Sequence, residues 1–114
     1  MDSQHPSYVL TLELMLEEKK RDMVIESLKE IQQPVRVQPG CERFSLRQSL
    51  HNPNKLTVVQ EWGNQEAFHA HIRSDEFKVI LAAIDLCSHT PDIRFDRVFS
   101  KQGMDYLQTL LGMA

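Results

Sequence analysis

The chain reads as one α+β domain of the ferredoxin-like, split βαβ kind, with helices on one face of a four-stranded antiparallel sheet. Three observations predict it. Apolar residues alternate over Tyr8–Leu16, Phe44–Leu50, Leu56–Trp62 and Ile93–Phe99, the period of strands, whereas runs near helical spacing follow the first and the third. The order of these periods is β-α-β-β-α-β. A chain of 114 residues is also long enough to bury one core and too short for two.

Residues 1–7 are polar and read as a flexible N-terminal tail. In the first strand Tyr8, Leu10, Leu12, Leu14 and Leu16 take one face, while Val9, Thr11, Glu13, Met15 and Glu17 take the other. From Glu18 to about Val37, Met23, Val24, Leu28, Ile31 and Val35 recur at amphipathic-helix spacing among many charges. Pro34 removes a backbone donor and crowds the preceding turn, which predicts a kink or break near Gln33, and Pro39-Gly40 stops the element. Phe44, Leu46, Gln48 and Leu50 then alternate with Arg43, Ser45, Arg47 and Ser49. They pair with Leu56–Trp62 as a hairpin across the five residues from His51 to Lys55.

Asn64 or Gly63 caps a helix running to about Arg73, and Ser74 with Asp75 and Glu76 opens another to Leu86, the join being either a bend or a break. Pro91 opens a last strand in which Ile93, Phe95, Arg97 and Phe99 share a face. Met104, Leu107, Leu110 and Leu111 mark a short C-terminal amphipathic helix. The expected organisation is therefore a tail over 1–7, a domain over 8–102 and a terminal helix over 103–114, which packs either on its own domain or on a partner.

If the helices cover one sheet face, the other carries Val9, Met15, Val59 and Val98 beside Thr11, Glu13, Glu61 and Arg94. That mixture suits a second sheet in a homodimer. Thirteen basic against 16 acidic residues, intermixed, leave no basic stripe to neutralise phosphates, which argues against nucleic acid. No stretch approaches the ~20 apolar residues of a membrane helix. The N-terminus lacks the basic and apolar regions of a signal peptide, so a cytoplasmic location is expected. Cys41 and Cys87 are too few for a disulfide framework or zinc knuckle.

Polar residues on apolar faces point to chemistry, because an unpaired buried polar group costs about 1–3 kcal/mol. Gln48 lies with Phe44 and Leu46, Gln60 and Trp62 with Leu56 and Val58, and Arg97 with Ile93, Phe95 and Phe99. Facing the helices, these would line a pocket with a few hydrogen-bonding groups in apolar surroundings. His71 lies one helical turn from Ala67, beside Phe68 and Ile72, at the edge of the core-facing stripe. It is a proton donor and acceptor near neutral pH, a group that orients a ligand oxygen by hydrogen bonding, or a core-edge histidine tied to a backbone carbonyl. Trp62 is a packing anchor or a stacking surface for a flat ring. Arg97 is a snorkelling surface residue or an anion clamp, and Gln48 and Gln60 are pocket or edge positions. His69 falls on a different helical face, and no cluster has metal-ligand spacing. The four glycines form neither G-x-G-x-x-G nor a P-loop.

The run Glu61-Trp62-Gly63-Asn64-Gln65-Glu66-Ala67-Phe68-His69-Ala70-His71, ending a strand and opening a helix, resembles the W-x-S-x-E-A-x-x-x-H segment of the antibiotic biosynthesis monooxygenase family. The resemblance spans about Tyr8 to Phe99, with Asn64 standing where many members have serine. It implies a dimeric α+β barrel. It also implies a monooxygenase without metal or flavin, in which an ionised phenol or quinol gives an electron to O₂ inside an apolar pocket. Trp62 and His71 match the family's tryptophan and histidine as catalytic candidates; Gln48, Val58, Gln60, Phe68 and Arg97 are the substrate-binding candidates from the face argument. The haem-degrading branch needs an Asn on strand one and a His in the second helical half, and this chain has neither. Non-catalytic ligand-binding or stress-related barrels and isomerases share the family, so those readings stand beside the enzyme.

Overall fold

We describe residues 5–112 in a computed structural model; residues 1–4 of the expected tail and 113–114 of the expected terminal helix lie outside the described range. The elements are β1 (Ser7–Met15), α1 (Glu18–Arg36), β2 (Cys41–Gln48), β3 (Lys55–Trp62), α2 (Gln65–Ile72), α3 (Asp75–Asp85), β4 (Asp92–Val98) and α4 (Met104–Leu110). The strands pair antiparallel in the order β2-β3-β1-β4, the ferredoxin-like arrangement, with α1 packed on β2 and α3 and α2 on β1 and β3.

Register turns the alternation into rows on the helix-covered face. Leu10, Leu12 and Leu14 of β1 lie beside Gln60, Val58 and Leu56 of β3. With Val24, Leu28, Ile31 and Val35 of α1 and Ile80 and Ala83 of α3 they form the core. On the opposite face Val9 meets Glu61, Thr11 meets Val59 and Met15 meets Lys55, as the alternation predicts.

The structure departs from the expected element boundaries at several positions. The helix α1 runs through Pro34 to Arg36 rather than breaking near Gln33. The proline sits on the exposed side of the last turn, and tertiary contacts hold the turn beyond it: Val35 is buried, and Arg36 donates from Nε and Nη2 to the Phe44 carbonyl at 3.2 and 3.0 Å. Strand β2 starts at Cys41, two residues earlier than the alternation suggests, because a bulge between Cys41 and Arg43 disrupts the period. Leu50 lies beyond the end of β2 and is 99% exposed, while Lys55 belongs to β3 rather than the loop. The supposed tail already joins the sheet at Ser7.

Two caps position the helix that carries His71. Asn64 Oδ1 accepts from the Ala67 N–H at 2.8 Å and starts α2. Ser74 Oγ accepts from the Phe77 N–H at 3.2 Å and donates to the His71 carbonyl at 2.6 Å, so the join is a break that ties the end of α2 to the start of α3. The other support of α2 is Gly40, at φ +85°, where an added Cβ would stand 2.4 Å from the Ala67 Cβ. Backbone strain and the clash act together. We expect Gly40→Ala to lower unfolding free energy by roughly 2–4 kcal/mol, read from the denaturant midpoint; an unchanged midpoint would mean that α2 does not rest on this loop.

Helix α4 does not pack on its own domain. Every residue from 99 to 112 is exposed, and the radius of gyration of 16.2 Å exceeds the about 13 Å of a compact chain this long. Among the described residues no helix is long and apolar enough to cross a membrane.

Candidate active site

The pairing places Trp62 in a row with Cys41 of β2, Tyr8 of β1 and, beyond Tyr8, Arg97 of β4. The next row is Phe44, Gln60, Leu10 and Phe95. Helix α2 lowers His71 onto the first row: its imidazole stacks on the Trp62 indole with centroids 4.5 Å apart and an interplanar angle of 25°. Phe77, from the first turn of α3, closes the other side edge-on at 5.4 Å.

Trp62, Gln60 and His71 are all within 1% of complete burial. Among the described residues, Gln60 Nε2, Gln60 Oε1, Trp62 Nε1 and His71 Nε2 are buried without a protein hydrogen-bond partner; Ser45 Oγ is the other atom in this state. At about 1–3 kcal/mol each, four such atoms would cost an appreciable part of a small domain's total stability. That concentration makes Gln60, Trp62 and His71 the candidate site. The remaining histidine nitrogen, Nδ1, lies 3.2 Å from Gln38 Oε1, and Gln38 Nε2 donates to Glu76 Oε1 at 3.0 Å. The bland expectation of a ring tied to a backbone carbonyl is not what occurs.

Burial pulls the His71 imidazole from its ordinary 6.5 down to about 4, against a smaller opposing pull from the Glu76 carboxylate. His71 is therefore neutral at pH 7 and offers an unpartnered nitrogen as a hydrogen-bond acceptor, rather than exchanging protons near neutral pH as expected. The linkage has a definite sign: below pH 6.5 the unfolded chain takes up a proton that the native ring resists until about pH 4. Stability is therefore complete above that window and falls by up to roughly 3 kcal/mol as pH drops through it. Denaturation midpoints between pH 7 and pH 4 should show the decline, reduced in His71→Phe; equal slopes for both proteins would contradict it.

The other predicted residues divide. Phe68 stacks on Tyr8 with centroids 5.9 Å apart and meets Phe95 edge-on at 6.1 Å, forming an aromatic group at the β4 edge next to exposed Arg97. By strand spacing Arg97 stands about 10 Å from Trp62 across β1, so it flanks the interior rather than entering it. Val58 is core, two rows away. Gln48 is removed from the site. It pairs with Leu56, about 20 Å along the sheet from Trp62, is exposed, and donates Nε2 to the Pro53 carbonyl at 2.8 Å to close the hairpin turn. Of the two readings of Trp62, the packing anchor is the one that fits, since the indole is fully buried and His71 stacks on one face. A groove of about 440 Å³ lies at the surface, lined by Gln38, Pro39, Gly40, Asn64, Glu66, Ala67, Ala70 and Ser74, and shares Gln38 with the histidine relay. Gln38, Glu76 and Tyr8 were not legible as site residues: two sit in a loop and a helix start with no periodic signal, and Tyr8 reads as an ordinary strand apolar position.

Known proteins share the fold. A conserved protein from Methanosarcina mazei is 22% identical, with a TM-score of 0.75 over 82% of this chain and 94% of that one. A candidate antibiotic biosynthesis monooxygenase from Nitrosomonas europaea is 16% identical, with a TM-score of 0.76 over 88% and 97%. A Bacteroides thetaiotaomicron protein, described as of unknown function and a possible oxidoreductase, is 18% identical, with a TM-score of 0.74 over 82% and 98%. At these identities the likeness is one of fold. No curated protein matches the chain by sequence. The family model for antibiotic biosynthesis monooxygenase matches residues 7–83, about two thirds of the sequence and the whole stretch from β1 to the end of the α3 core face. The chain belongs to the antibiotic biosynthesis monooxygenase family.

Proposed function

We propose that the protein is a monooxygenase that uses O₂ to oxidise a small aromatic phenol or quinol, with His71 as the proton acceptor. The observation that carries this reading is the set of four unpartnered polar atoms on Gln60, Trp62 and His71 inside an apolar interior. A phenolic hydroxyl is of the right chemistry to satisfy them. His71 Nε2 would first accept a hydrogen bond from the hydroxyl and then its proton, because the negative charge of the forming phenolate beside the ring raises its pKa from the low value that burial imposes, and the N–H groups of Trp62 and Gln60 would stabilise the developing oxyanion. Electron transfer from the phenolate to O₂ then needs no group beyond the substrate, and exclusion of water protects the intermediate. The interior is closely packed around the Trp62–His71 stack, so binding requires α2 to give way by about the thickness of a ring. The groove at Gln38 is where such an opening would begin.

We further propose that it works as a homodimer in the cytoplasm. The outer sheet face is free of this chain's helices over most of its area, although Lys101 reaches back to Glu61, and α4 presents Met104, Leu107, Leu110 and Leu111 to no partner in its own domain. A second copy would cover both.

An oxygen electrode with a panel of reduced quinols, run in air and under nitrogen, tests the reaction. Oxygen uptake stoichiometric with quinol loss is expected. Product formation under nitrogen would instead select an isomerase. The close packing beside Trp62 favours one second reading, a barrel that holds a small aromatic without turning it over. Ligand-induced thermal stabilisation with no oxygen uptake would select that.

A further inference from the structure

The hydrogen bonds at His71 have a fixed polarity, and it is set from outside. The Glu76 carboxylate only accepts, so the Gln38 amide must turn its Nε2 toward Glu76 and its Oε1 toward His71 Nδ1, as observed at 3.0 and 3.2 Å. An amide oxygen cannot donate, so Nδ1 carries the ring proton and Nε2 keeps its lone pair. That lone pair lies in the interior, without a protein partner.

We propose that Gln38 and Glu76 are positioning residues that hold His71 in its Nδ1–H tautomer, so that the interior accepts ligands bearing a hydroxyl and rejects those whose oxygen is a carbonyl or an ether. The ligand-selecting half of this inference rests on the reading of the interior as a small-molecule site; the tautomer does not. The unpartnered atoms then comprise two donors, Trp62 Nε1 and Gln60 Nε2, and two acceptors, Gln60 Oε1 and His71 Nε2. A hydroxyl both donates and accepts, so it pairs with a member of each class. A quinone carbonyl only accepts and leaves His71 Nε2 bare, which weakens its binding. The reduced, hydroxylated member of a redox pair is thereby held, and the oxidised member is released. Neither Gln38 nor Glu76 touches the ligand in this arrangement; both act through the orientation of the ring.

Long-range ¹H–¹⁵N correlation of the ¹⁵N-labelled protein without ligand at pH 7 reads the tautomer directly. His71 should show protonated Nδ1 and unprotonated Nε2. In Glu76→Gln the new amide can donate, the Gln38 amide is free to reverse, and the single tautomer should give way to a mixture or to Nε2–H. Should Glu76→Gln fail to fold, Gln38→Leu removes the same constraint. Calorimetry with 1-naphthol and 1-methoxynaphthalene reads the selection: the naphthol should bind about tenfold tighter to the wild type, and that ratio should shrink several-fold in Glu76→Gln. An Nε2–H ring in the wild type, or a tautomer unmoved by both Glu76→Gln and Gln38→Leu, overturns the inference. Locked Nδ1–H with neither naphthalene bound leaves the relay standing, while ligand selection and the proposed function both fall.

Discussion

Replacement of His71 by phenylalanine is expected to lower quinol-dependent oxygen uptake by about 10²–10⁴-fold, the usual contribution of a positioned general base, while the protein stays folded. Phenylalanine is the informative choice because the ring is sandwiched, 4.5 Å from Trp62 and 5.4 Å from Phe77 by centroid. Alanine would empty that slot and add a cavity cost of roughly 2–4 kcal/mol, confusing lost chemistry with lost structure. Phenylalanine preserves the stack and removes both nitrogens, one of which has no protein partner. Loss of an unsatisfied buried atom is close to neutral or stabilising at pH 7. Rate and denaturant midpoint measured on the same preparation separate the two effects. Activity within threefold of wild type would remove His71 from the mechanism, whereas a midpoint that collapses with the rate would show that the ring is principally structural.

In the homodimer proposed above, α4 belongs to the interface, so ending the chain after Gly103 should yield a monomer. The segment removed, residues 104–114, includes the seven-residue helix α4, in which Met104 is 66% and Leu107 47% exposed and no residue is buried. Its own domain loses little by the truncation. Four apolar side chains covered by a partner would contribute on the order of 3–6 kcal/mol, which raises the dimer dissociation constant about 10²–10⁴-fold. Sedimentation at micromolar concentration should show the change without a shift in the circular dichroism of the remaining elements. The double variant Leu107→Asp, Leu111→Asp should act in the same direction. A truncated protein that sediments as the full-length one does would place the interface elsewhere, on the sheet alone.

The fold was accessible from the sequence because its signals are local. Alternation at Leu10, Leu12 and Leu14, the Asn64 and Ser74 caps, and the turn residues before β2 each act within a few positions, and each agrees with the final architecture. Where local rules failed, a distant contact outweighed them. Pro34 is tolerated because Val35 and Arg36 are held by the core and by β2, which no propensity encodes. Gln48 and Gln60 look alike in sequence, each on an apolar strand face, yet one caps a hairpin in solvent and the other is sealed in the interior. Position along the sheet decided between them, and alternation carries no information about which end of a strand lies under helices.

His71 makes the same division within one residue. Helical spacing alone put it at the border of the buried stripe, and the family pattern singled it out. Its neutrality, its stack on Trp62 and the direction of its proton come from Trp62 and Gln38, nine and 33 residues before it, and from Glu76, five residues after it. The amino-acid order by itself determined the elements, their sequence along the chain and the faces they bury, since periodicity and capping are short-range. Only tertiary structure decided which polar groups share an interior and in what protonation form, because desolvation and hydrogen-bond direction depend on atoms that the chain brings together only when it folds.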